Sequence, residues 1–211
     1  TTIAKAAEVE AYLAGLLVTF LGAKATPAFA TFDAIHQTAQ SAGLREAAKS
    51  HLSEEDFDIL AALLLLTKSP DKHRNRFAHW LWAYSEEIED GIILINPPDN
   101  FAFAVRNYAL LESGIRHSVS RGQPDGPDPK KVLVYSRKDL QDVIDEFGRV
   151  QHWFRVFKRH ISPHLDDDAL QYRLMQSDNH FRLALDRVRS RGASARTYRP
   201  ALRPQPRASP A

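Results

Sequence analysis

The chain has 211 residues, 44% of them hydrophobic and 26% charged, with no cysteine. That composition supports one core of moderate size and excludes disulfide scaffolds, thiol nucleophiles and thiolate metal sites. The net charge of +2 conceals an asymmetry: residues 191–211 hold five arginines, four prolines and no acid, leaving 23 basic against 26 acidic groups before them.

Helix signals dominate the first half. Ile3, Ala6, Leu13, Leu16, Leu17 and Phe20 approximate a 3.6-residue stripe, and Gly22 is placed to end it. Thr26 as N-cap and Pro27 behind it predict a second helix, whose apolar face (Phe29, Phe32, Ile35, Ala39) runs to Gly43. A short helix follows over Leu44–His51. Ser53 and the acids after it predict a start for "LSEEDFDILAALLLL", which is apolar nearly all round and therefore the buried centre of a bundle. Its longest apolar run, Leu60–Leu66, is far shorter than the roughly 20 residues a bilayer needs. With no secretory signal pattern at the N-terminus, the expectation is a cytoplasmic protein without membrane association.

Ser69 and Pro70 repeat the start signal for a fourth main helix carrying "RNRFAHW", residues 74–80. Beyond it, "GIILINPP" and "KVLVYS" read as two strands paired in a small ribbon. Between them lie a helix near Phe101–Glu112 and a turn-rich loop, "SRGQPDGPDPKK". Ser136 with Asp139 predicts the cap of a helix bearing Leu140, Val143, Phe147, Val150, Phe154 and Phe157. The segment from Ser162 to Ser190 reads as a last, peripheral helix. The boundaries expected are a helical bundle over 1–96, ribbon strand, loop and further helices packed on it over 97–190, and a disordered Arg/Pro-rich tail over 191–211. That tail is either a solvated terminus or an arm that neutralises nucleic-acid phosphates.

An α-helix turns roughly 100° per residue, so Asn75 and His79 share a face at i, i+4, and Arg74 returns to it with its long arm. One helix then presents a permanent cation, an amide and an imidazole to a single anion. Arginine holds phosphate oxygens through its planar fork. Imidazole moves protons near neutral pH. Together they suit attack of a ribose 2′-hydroxyl on the neighbouring phosphorus without a metal. The competing reading has Arg74 and Asn75 capping local backbone and His79 packed at a helix–helix contact. His73 and Arg76 extend a basic groove or form a solvated helix start; Trp80, Trp82 and Tyr84 stack on bases or fill the bundle end. The acids Asp166, Asp167 and Asp168, next to His164, read as helix-dipole complements, so no metal or cofactor is assigned.

A four-helix bundle whose last helix carries Arg74-Asn75-x3-His79 resembles the HEPN superfamily, with its Arg-x4-6-His signature. The likeness covers roughly residues 3–96, with an echo through "VLVYSRKDL". It implies a mainly α, HEPN-like up-and-down four-helix bundle, here with a small two-stranded β-ribbon and additional C-terminal helices. It also implies a homodimer in which motif helices from both subunits face one RNA strand. The resemblance makes Arg74, Asn75 and His79 catalytic: Arg74 holds phosphate, His79 moves the proton and Asn75 orients the pair. His73, Arg76, Trp80 and Tyr84 are then substrate-binding. The function implied is a metal-independent endoribonuclease of toxin or phage-defence type, with an antitoxin or nucleotidyltransferase as possible partner. The alternative is a non-catalytic helical module that binds a partner protein or nucleotide.

Overall fold

The computed structural model describes residues 2–35, 37–112, 131–162 and 169–197. Most of the turn-rich loop, the His164–Asp168 run and the tail beyond Thr197 lie outside them. The chain is mainly helical, and its first helix, α1 (Thr2–Leu21), ends where Gly22 adopts φ +58°, the left-handed conformation glycine takes without strain. Next come α2 (Ala25–Ala34), α3 (Gln37–Ala48), α4 (Glu54–Leu66) and α5 (Lys68–His79). Ser53 caps α4 as expected, its hydroxyl accepting from the Asp56 N–H at 3.1 Å. The predicted caps Thr26 and Ser69 do not form. Pro27 and Pro70 sit inside the first turns of α2 and α5, where a missing N–H costs nothing, and both helices begin before Thr26 and Ser69. Thr67, the buried residue joining α4 to α5, keeps helical backbone and donates its hydroxyl to the Leu64 carbonyl at 3.0 Å.

After α5 the structure departs from the expected ribbon. Trp80 is extended, and the aromatic stretch becomes a strand, β1 (Leu81–Ala83). It pairs antiparallel with β2 (Gly91–Ile95), which pairs antiparallel with β3 (Val132–Ser136), so the sheet has three strands in the order β1-β2-β3. The indole N–H of Trp82 turns back to the Phe77 carbonyl at 3.0 Å, supplying a partner to the last turn of α5, whose carbonyls have none within the helix. Leu94 and Tyr135 are buried on the inner face of the sheet. Gly91 is required for its close approach: a Cβ there would come within 2.7 Å of Ile88 Cγ2 and 3.2 Å of the Tyr135 carbonyl.

Between β2 and β3 lies α6 (Pro97–Glu112); after β3 come α7 (Arg137–His160), α8 (Ala169–Ser177) and α9 (Asn179–Thr197). Ser136 starts α7 with a reciprocal capping box to Asp139, and the Ser136 hydroxyl and N–H together hold the Asp139 carboxyl below its ordinary value. The buried residues Val143, Phe147, Val150, Phe154 and Phe157 alternate at four and three positions, giving α7 one continuous apolar face. That face lies along α1, while α4 lies along α9. The core is therefore shared by the beginning and the end of the chain. The last predicted helix is in fact two, broken where the Asp178 carboxylate accepts from the Phe181 N–H at 2.9 Å. It is not peripheral either: Met175 and Phe181 are fully buried. Residues 191–197, expected to be disordered, continue α9.

Candidate anion-binding cleft

The motif helix shows three different surroundings. Toward α1, Arg74 donates from Nη2 to Glu10 Oε1 at 3.3 Å and from Nη1 to Asn75 Oδ1 at 2.9 Å. The second bond occupies the Asn75 carbonyl oxygen and leaves its amide N–H donors for another acceptor. Arg74 Nε is buried with no hydrogen-bond partner.

Toward the sheet, the Tyr135 hydroxyl lies 2.8 Å from His73 Nδ1 and accepts from Arg76 Nη1 at 3.2 Å. One arrangement satisfies all three groups: Arg76 donates to the hydroxyl oxygen, and the hydroxyl hydrogen goes to Nδ1 of a neutral His73. The surroundings favour that neutral form. Burial holds the His73 imidazole below its ordinary value, the Arg76 charge adds to the effect, and Glu146 opposes it. His73 thus packs against β3, edge-on to the Tyr135 ring, and lines a separate cavity of about 310 Å³ with Asp142 and Glu146.

The third side of α5 opens onto a cleft of about 850 Å³ between α1, α3 and α5. Asn75, Arg76, His79 and Trp80 line it. His79 is exposed, and its ring makes no hydrogen bond or ion pair among the described residues. Arg76 spans the boundary between the two sides. Its guanidinium carbon stands 5.5 Å over the Trp80 ring while Nη1 reaches Tyr135, so the cation is braced from two directions. Among the described residues, four cations line the cleft (Arg45, Lys68, Lys72 and Arg76) against two carboxylates, Glu10 and Asp71, and Glu10 is already paired with Arg74. Arg45 Nε, on the α3 wall, is buried without a hydrogen-bond partner among the described residues.

The structure thus gathers four of the seven residues singled out from sequence on one cleft. Arg74 borders it through Glu10 and Asn75, whereas His73 faces the sheet. Tyr84 is 75% exposed and forms no part of the cleft wall. Sequence reasoning missed Arg45, Lys68, Lys72, Glu10 and Tyr135. Two of these carried a signal: Lys68 and Lys72 precede His79 by eleven and seven positions, which puts all three on nearly one helix face. Comparison of the chain with protein-family models, with curated proteins and with solved structures finds no match.

Proposed function

We propose that the protein is a HEPN-like, metal-independent endoribonuclease that binds single-stranded RNA in the cleft between α1, α3 and α5. The observation that carries this reading is the placement of a free, exposed His79 at a cleft whose cations outnumber its carboxylates. A phosphodiester seated there meets Arg76 and Arg45 as fixed positive charges and the Asn75 amide as a donor. His79 takes the 2′-hydroxyl proton as the 2′-oxygen attacks phosphorus. The bond to the 5′-oxygen breaks, and a 2′,3′-cyclic phosphate remains. The leaving oxygen takes its proton from the His79 imidazolium of a second copy, in the two-fold dimer that the HEPN resemblance implies. Arg74 acts by holding the Asn75 carbonyl oxygen; a direct phosphate contact from it requires the Glu10 pair to open.

The test is cleavage of a single-stranded RNA in EDTA by purified protein. His79→Ala is expected to lower the rate by about 10²-fold or more, with cyclic-phosphate ends on the wild-type products. Intact RNA at micromolar wild-type protein, or an unaffected His79→Ala variant, refutes the nuclease. A non-catalytic module that binds a nucleotide or partner is the second reading. The Glu10–Arg74 pair favours it, because that pair neutralises the motif arginine within its own chain.

A further inference from the structure

The cleft is long as well as basic. Its α5 wall runs from Lys68 to His79, eleven residues or roughly 17 Å of helix, and Lys72 lies two turns, roughly 10 Å, from His79. Lys68 and Lys72 are exposed, and neither has a hydrogen bond or ion pair among the described residues. Asp71 is the carboxylate between them. On the α3 wall, the buried Arg45 Nε has no acceptor among the described residues. A stacked strand advances about 3.4 Å per nucleotide, so ~10–17 Å corresponds to about three to five nucleotides.

Resting on the RNA reading of His79 and Asn75, we infer that Lys68 and Lys72 form a second phosphate-binding position, remote from His79, so that the cleft selects an oligonucleotide over a mono- or dinucleotide. The mononucleotide-sized part of the cleft is the His79 end, where Asn75, Arg76 and Trp80 stand within one turn of the imidazole. Lys68 stands two turns, roughly 10 Å of helix, from Asn75 and is remote from a phosphate held at that end, while Lys72 is one turn from Arg76 and links the two positions. The lysine end contributes most of its affinity when the ligand carries phosphates several nucleotides apart.

The experiment uses the full chain and two fluorescein-labelled, 2′-O-methylated RNA probes that cannot be cleaved: a ten-nucleotide strand and a dinucleoside monophosphate. Fluorescence anisotropy at 150 mM salt is expected to show tighter binding of the ten-nucleotide probe. The Lys68→Ala/Lys72→Ala double variant is expected to weaken it roughly tenfold, to reduce its salt slope by about 1.4, and to weaken the dinucleotide far less. Both positions are exposed on a helix, where alanine is well tolerated, and circular dichroism verifies the fold. Arg45→Gln, which removes a charge from the phosphate at the His79 end, provides the contrast and is expected to weaken both probes. Equal wild-type affinities for the two probes overturn the inference, as does a double variant that weakens both probes alike or neither. Because the probes are inert, wild-type protein that discriminates between them yet cuts no RNA refutes the nuclease and supports the second position. Failure to bind either probe overturns the second position, while cleavage of RNA in EDTA decides the nuclease separately.

Discussion

Replacing Tyr135 with phenylalanine removes one oxygen and keeps the ring. The contacts of that ring remain: an edge-on approach to Phe77 with centroids 4.9 Å apart and the edge-on His73 contact at 5.6 Å. What is lost is the hydroxyl shared by His73 and Arg76, on a residue only 6% exposed. A neutral hydrogen bond contributes about 1 kcal/mol and one to a charged group about 1.5–3 kcal/mol. Arg76 is half-buried and recovers part of its loss from water, so the sum is about 2 kcal/mol. For a chain of this size that corresponds to a melting temperature lowered by about 4–8 °C. Urea unfolding followed by circular dichroism should give a lower midpoint with an unchanged slope. A double-mutant cycle with Arg76→Ala should show non-additivity of about 0.5 kcal/mol or more. Anisotropy with the ten-nucleotide probe should report weaker binding, because the Arg76 guanidinium loses one of its two braces. A stability change below about 0.5 kcal/mol, with additive variants, would refute the idea that β3 orients the cation of the cleft.

Stability should also fall as pH drops from about 7 toward 5. The folded chain holds His73 below its ordinary value, so the unfolded chain takes up the proton first and gains from it. His73→Asn should flatten the urea midpoint across this window, whereas a wild-type midpoint constant from pH 7.5 to 5 contradicts the neutral, half-buried imidazole. Phe181→Ala should cost about 3–5 kcal/mol by urea unfolding, as expected for a fully buried aromatic; a cost under about 1 kcal/mol would return α9 to the periphery. Glu10→Gln should release Arg74 at a stability cost under about 1 kcal/mol and tighten binding of the ten-nucleotide probe. Weakened binding would mean that the pair shapes the cleft rather than restrains it.

Much of this architecture was legible where the signal is local. The Ser53 cap, the Ser136–Asp139 capping box and the apolar period of α7 depend on residues a few positions apart, and all three are found. So is the pairing of the two β-branched runs as β2 and β3. The strand β1 was not legible, because Trp80–Tyr84 reads equally well as the next turn of a helix. Only the Trp82 bond back to Phe77 and the partner β2 decide it. The break before α9 was hidden because Asp178 is one polar residue among many. The cleft follows the same division. Asn75 and His79 stand out by their spacing, but Arg45 becomes relevant only when α3 is brought opposite α5. Tyr135 has no motif around it and matters through one hydroxyl.

The bond from Arg76 to Tyr135 also has a consequence in time. The two residues are 59 positions apart, and a ribosome adding 5–20 residues per second needs about 3–12 s to make that interval. A nascent chain therefore carries the whole Arg-Asn-x3-His segment for seconds before the strand that steadies Arg76 exists, and longer still before α7 arrives to cover α1. The cation of the cleft is therefore braced only late in synthesis.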